Sequence, residues 1–215
     1  MWFRVRLKGT SAHVAEASKY GNVIENCFPL IQALHELERK MNTNVKHPLY
    51  KDHEHPINLN VGTITGGHWP SSVPSDCSFV CRLSYMPSMK NKKAQQLVRE
   101  CIQKEAQKHQ LLRKHPPQIE FYGFQSEGSV LDKKCDLINI LGKAHHEVTN
   151  EEMKFVASTG TTDIRYFNLY EGIPATCYGP IGGNIHTSNE YVELDSIKTG
   201  AKTLALFILD WCKNN

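Results

Sequence analysis

The chain opens with an alternation, Phe3, Val5 and Leu7 against Arg4, Arg6 and Lys8. That is the period of a strand with one face buried and the other in water. After a loop holding Gly9 and Ser11, apolar positions Val23, Cys27, Leu30, Ile31, Leu34 and Leu37 recur at helical spacing to about Lys40, with Pro29 placed to kink the helix from inside. A polar connector, Asn42 to His55, leads to two more alternating runs. Ile57, Leu59, Val61 and Thr63 run up to Gly66-Gly67, and Cys77, Phe79, Cys81, Leu83 and Tyr85 end at Pro87. Their Gly- and Pro-rich connection predicts an antiparallel pair. Ala94, Leu97, Val98, Cys101 and Ile102 share one face of a helix predicted from Lys90 to Leu112, and Ile119, Phe121 and Gly123 mark a last strand.

This order, β-α-β-β-α-β, is the ferredoxin-like arrangement, in which two helices cover one face of a four-stranded sheet. It closes near Glu127, so residues 1–127 form one expected domain and 128–215 another. The second part carries a helix from Leu131 to Val148, a short strand at Phe155-Val156, a brief helix after Thr162, a strand from Ala175 to Tyr178, a long loop and a helix from Ser196 to Trp211. Alternating strands and helices predict an α/β layer, but two short strands would need neighbours before either could be buried on both faces. A strand that begins at residue 2 without lead-in also suits a piece of a longer polypeptide.

With 215 residues and 40% hydrophobic content the chain is long and apolar enough for a core. The 25 Lys and Arg against 22 Asp and Glu give a net charge of only +3 with both signs scattered, which argues against a nucleic-acid partner. No apolar run approaches the roughly 18 residues that cross a bilayer, so no membrane partner and a cytoplasmic location are expected. Seven cysteines without a Cys-x-x-Cys spacing read as reduced core thiols.

Four segments are dense in Gly, His and hydroxyl residues: Gly9-Thr10-Ser11-Ala12-His13; Asn60-Val61-Gly62 through Gly66-Gly67 and Ser71-Ser72 to Val73-Pro74; Ser158-Thr159-Gly160-Thr161-Thr162-Asp163; and Gly179-Pro180 through Gly182-Gly183 to His186, followed by Asn189-Glu190. Each has an ordinary reading. A loop His is commonly an inert polar residue, Gly and Pro serve hairpin turns, and Thr161 or Thr162 can cap a helix as cheaply as bind an anion. A His in a Gly-rich loop beyond a strand end suits a metal ligand or an acid-base group, but one imidazole needs partners to hold an ion. His53, His55, His145 and His146 lack carboxylates at ligand spacing and read as solvated.

Taken together and in this order, the four segments resemble the C-terminal half of the M20 family of metallopeptidases and amidohydrolases, across essentially the whole chain. The resemblance implies a lid or dimerisation domain at residues 1–127, followed by the C-terminal part of an α/β zinc-peptidase-like catalytic domain. It implies hydrolysis of a linear amide with two divalent metals, zinc or cobalt, that activate a water and polarise the carbonyl. It further implies a homodimer, with His13 stabilising the oxyanion in the partner subunit's site. His186 matches a metal ligand, the only one this chain supplies; Thr161, Gly160 and Ser71 match substrate-contacting positions. The family's other ligands belong to an N-terminal half that this sequence lacks, so the chain by itself is expected to be inactive. Where many members carry an Arg that grips a substrate carboxylate, near Ser84, the nearest candidate is Arg82, which reads equally well as a solvent-facing strand residue. The substrate is accordingly a small N-acyl or N-formyl amide of open class. The competing reading is a dimerisation or binding module of the same family without catalysis.

Overall fold

The computed structural model describes residues 1–43, 45, 47–51 and 53–214, so Asn44, Lys46 and Asp52 of the polar connector, and Asn215, lie outside the described residues. Two compact units are present, Met1–Gly128 and Ser129–Asn215. In chain order the first contains β1 (Trp2–Lys8), β2 (Ala12–His13), a 3-10 turn (Val14–Lys19), α1 (Cys27–Thr43), β3 (Leu59–Gly66), β4 (Ser72–Val73), β5 (Asp76–Leu83), α2 (Asn91–Ala106), α3 (Gln110–Lys114) and β6 (Gln118–Tyr122).

The four long strands form one antiparallel sheet in the order β3-β5-β1-β6. This is the ferredoxin-like topology expected from the alternation. Phe3, Val5 and Leu7 of β1 and Cys77, Phe79, Cys81 and Leu83 of β5 are buried, together with Leu30 and Leu34 of α1 and Val98 and Ile102 of α2. Each of the larger side chains contributes about 1.5–3 kcal/mol by leaving water, which is why period-2 and period-3.6 apolar patterns meet on one face. Trp2, Arg4, Arg6 and Arg82 occupy the other face, paired across the strands in register. β3 has β5 on one side only, and among the described residues no strand pairs with its other side.

Two helix expectations are corrected. Pro29 does not kink α1, because the helix begins at Cys27 and places Pro29 in its first turn, where a backbone N–H has no intrahelical acceptor to lose. Before it, Asn22 Oδ1 accepts from Ile24 N (2.9 Å) and Glu25 N (3.3 Å), forming the turn that feeds the helix. The predicted helix Lys90 to Leu112 is two, because His109 takes an extended conformation between α2 and α3. That break buries Leu112 and brings Leu111 against Gly9 and Gly21, where an added Cβ on Gly21 would lie 2.9 Å from Leu111 Cβ.

The second unit contains α4 (Asp136–Thr149), α5 (Ile164–Tyr166) running into a wider turn over Phe167–Glu171, β7 (Gly182–Gly183), β8 (Tyr191–Val192) and α6 (Leu194–Asn214). α4 buries Ile138, Leu141 and Ala144 and packs against α6. The strands predicted at Phe155-Val156 and Ala175 to Tyr178 are not formed. No neighbouring strand supplies their ladder bonds among the described residues, and Asn168 takes over at Ala175, donating to its carbonyl (2.9 Å) and accepting its N–H (2.8 Å). Val156, Ile185, Leu194 and Ile208 are left exposed, a large apolar area for so small a unit. No helix among the described residues is long and apolar enough to cross a membrane.

Candidate active-site residues

His13 lies in the two-residue ribbon β2–β4, with Ala12 opposite Val73 and His13 opposite Ser72. Val73 is buried and anchors the ribbon, while Ser71 accepts the Val14 N–H (3.0 Å) and so joins it. His13 is exposed and caps the 3-10 turn: its Nδ1 accepts the Ala15 N–H at 3.2 Å. With the Nδ1 lone pair occupied, the neutral imidazole carries its proton on Nε2 and is a hydrogen-bond donor there. Thus the structure brings His13 and Ser71 together and settles the tautomer, which no spacing argument reached.

Arg82 is half-buried on the open face of the sheet, with Trp2 and Asn60 as its cross-strand neighbours. On the same face Glu120 forms ion pairs with both Arg4 (3.4 Å) and Arg6 (2.9 Å), and Arg4 stacks on Tyr122 with 4.7 Å to the ring centre. Among the described residues Arg82 forms no ion pair. Ser84 lies beyond the end of β5 and closes the sheet, its Oγ accepting the Asn58 N–H at 2.6 Å.

In the second unit Gly160 donates its N–H to Ser158 Oγ (3.0 Å), leaving Thr161 exposed at the tip of the loop. The helix that follows starts from Asp163 without a side-chain cap, so neither Thr161 nor Thr162 serves as the cap that the sequence allowed. A residue just outside the segment 158–163 organises this loop. Arg165 is buried and donates to the Thr162 carbonyl (2.9 Å), to Asp163 Oδ1 (3.4 Å) and to Tyr166 Oη (2.8 Å), its guanidinium 4.2 Å from the Tyr166 ring centre. The Asp-x-Arg spacing was the available signal, although burial of an Arg cannot be read from spacing.

His186 stands in the separate β7–β8 hairpin, at a positive φ of 66° and with its N–H on Glu190 Oε2 (3.3 Å). Gly182 and Gly183 are required there: a Cβ on Gly182 would fall 2.6 Å from Tyr191 O. His145, expected to be solvated, is instead half-buried, with Nδ1 2.8 Å from Tyr178 Oη and the two rings edge to face. His55 is likewise engaged, at 3.1 Å from Glu38 Oε1. Among the described residues no three His, Cys, Asp or Glu are grouped so as to hold a metal ion. His186 therefore stands as a single exposed imidazole, and the residues present do not by themselves build a two-metal centre.

Residues 1–110 match the family model described as the peptidase dimerisation domain of M20 proteins. The chain belongs to the M20 family. Its lid domain is the part matched. The sequence is 29% identical to the N-formyl-4-amino-5-aminomethyl-2-methylpyrimidine deformylase of Halalkalibacterium halodurans, over 89% of this chain and 46% of that protein. Among solved structures it is similar to an M20 metallo-carboxypeptidase from Sulfolobus solfataricus (TM-score 0.70, 16% identity, 96% of this chain and 57% of that one). A Staphylococcus aureus tripeptidase aligns equally well (TM-score 0.70, 17% identity, 96% and 50%). The likeness to these two structures is one of fold. The M20 chain described here spans about half the length of the curated relatives it matches.

Proposed function

We propose that this M20 chain is the lid and C-terminal part of a hydrolase that cleaves the linear amide bond of a small N-formyl or N-acyl compound, and that it works as a homodimer in the cytoplasm. The observation that carries the reading is His13, whose Nδ1 is taken by the Ala15 N–H at 3.2 Å so that Nε2 remains a donor. Attack of water on an amide turns a neutral carbonyl oxygen into an oxyanion, and a fixed N–H donor stabilises that charge without reorganising. His13 would perform this role in the partner subunit's site. Capping the 3-10 turn uses only Nδ1, so the exposed Nε2–H is left for a ligand, which favours this reading over a module without catalysis.

Thr161, Gly160 and Ser71 are proposed to contact the substrate. Its class follows from two considerations of unequal weight. The deformylase relatives act, by name, on a neutral N-formyl aminopyrimidine, which favours a formamide. Arg82, a cation without an ion pair among the described residues, favours instead an amide that bears a carboxylate, which a guanidinium would grip with a charge-assisted bond. We place the formamide first and the carboxylate second.

Divalent-metal dependence and zinc as the metal are part of this proposal. His186 would supply one ligand, and residues outside this chain the rest. The test is metal content by elemental analysis after dialysis, with an amide-hydrolysis assay on N-formyl and N-acetyl substrates. The 215-residue chain should hold zinc no better than micromolar and show no turnover, while a protein that adds the half present in the longer relatives should show both. Two tightly bound metals and turnover in the chain alone would refute the assignment of ligands.

A further inference from the structure

Two thiols of the first unit meet where the proposed hydrolysis has no use for them. Cys27 Sγ lies 3.2 Å from Cys77 Sγ, and both residues are buried. Cys27 is the first residue of α1 and Cys77 the second of β5, 50 positions later, so the contact ties a helix end to the covered face of the sheet. Gly66, opposite Cys77 in β3, makes room for the pair: a Cβ there would come within 2.8 Å of both Cys77 Cβ and Cys77 Sγ. Three of the other thiols are placed differently. Cys101 Sγ donates to the Ala33 carbonyl (3.2 Å), and Cys177 and Cys212 are exposed.

We propose that Cys27 and Cys77 are a redox pair, which a hydroperoxide converts into an intramolecular disulfide between α1 and β5. One cysteine, as thiolate, attacks the peroxide oxygen; the O–O bond breaks, an alcohol or water leaves, and a sulfenic acid remains. The second thiol attacks the sulfenic sulfur, the S–S bond forms, and water departs with the sulfenic oxygen. In sum the two thiols lose two protons and two electrons, and the hydroperoxide is reduced to an alcohol and water.

Geometry selects this product. A sulfenic acid on either cysteine has a thiol already in contact, so condensation precedes further oxidation to sulfinic acid. Bond formation asks the sulfurs to close from 3.2 Å to about 2.05 Å, a movement within reach of side-chain rotation. Speed is limited by access. Burial, and after it the hydrogen bond with Cys77, hold the Cys27 thiol well above the usual thiol range, so thiolate forms chiefly when the start of α1 opens. The pair therefore answers sustained oxidant exposure and leaves the fold more stable, because the closed loop limits the unfolded chain.

The test uses the reduced 215-residue chain in two arms. One is treated with hydrogen peroxide, trapped by alkylation and mapped by mass spectrometry without reduction. The other is unfolded, refolded and equilibrated in a dithiothreitol redox buffer, so that slow access cannot hide the bond. The expected result is a Cys27–Cys77 peptide pair lighter by two hydrogens, with Tm raised by roughly 5–15 °C. Both signals should vanish in Cys77→Ser and in Cys27→Val, an apolar replacement that keeps the core filled, and persist in the Cys177→Ser/Cys212→Ser chain. Absence of the link from the equilibrated sample, a link to another cysteine, or separate sulfinic acids at positions 27 and 77 would overturn the proposal.

Discussion

The Glu38 carboxylate accepts the backbone N–H of Leu59 over 2.6 Å. A residue of α1 thereby seats the first residue of β3, the edge strand of the sheet. His35 Nδ1 (3.0 Å) and His55 Nε2 (3.1 Å) reach the other positions of the same carboxylate, so a buried charge is surrounded by three donors. Burial alone would raise the Glu38 pKa, but the bond from Leu59 and those from His35 and His55 outweigh it and hold the carboxyl below its ordinary value.

The first prediction follows from this sign. A carboxyl whose pKa is lowered by folding contributes stability above its unfolded-state pKa, and that contribution is lost as pH falls through the lowered folded-state value. Relative to Glu38→Gln, the natural chain should therefore lose stability on acidification from about pH 5 downward. At pH 7, Glu38→Ala should cost roughly 1–3 kcal/mol, since it leaves the Leu59 N–H without its acceptor. Urea denaturation of the three chains between neutral and acid pH measures both effects; parallel curves for the natural chain and Glu38→Gln would contradict the argument.

Replacing His13 tests the oxyanion role. In the complete enzyme His13→Ala should lower kcat by about 10²–10³ with little change in KM, the usual loss when one oxyanion donor is removed. Unchanged kcat would remove His13 from the chemistry.

Arg82 separates the two substrate classes. Arg82→Ala should leave kcat/KM for an N-formyl aminopyrimidine nearly unchanged. For an N-acyl amino acid, the same substitution should lower kcat/KM by one to a few powers of ten, roughly the worth of a charge-assisted hydrogen bond. Paired assays on the two substrates decide which of them the enzyme serves.

The edge strand bears on assembly. β3 exposes its outer side, and Ile64, opposite Phe79, is apolar and exposed. An unprotected edge is a template for pairing, and in a two-fold dimer the same patch meets itself. Size-exclusion chromatography with light scattering should give a dimer at tens of micromolar, and Ile64→Lys should shift it toward monomer by placing two like charges across the axis. A strict monomer for the natural chain would count against the partner-site role of His13.

Some of this was legible in the chain of letters. The lid sheet followed from four alternating runs because each strand has one apolar and one polar face, and that difference is written at every second residue. The place of Pro29 and the break at His109 are not legible in the pattern for a related reason: a helix interior and its first turn share a periodicity, so only the observed boundary tells which rule applies to Pro29. The second unit was harder to read. Val156 and Ala175 have strand-like neighbours in sequence, but a strand needs a partner, and Asn168 supplies the bonds at Ala175 instead.

The sequence by itself determined the ferredoxin-like lid, the family and the identity of the candidate residues, because side-chain periodicity and residue type are local properties. Tertiary structure alone decided which atoms are free to act. The Ala15 N–H makes His13 a donor at Nε2, Arg165 is buried beneath the Thr161 loop, His145 is held by Tyr178, and Cys27 meets Cys77 across 50 positions. These are contacts between groups brought together by packing, and the energy of a hydrogen bond or the reach of a thiol depends on a distance of a few tenths of an ångström, which no spacing along a chain encodes.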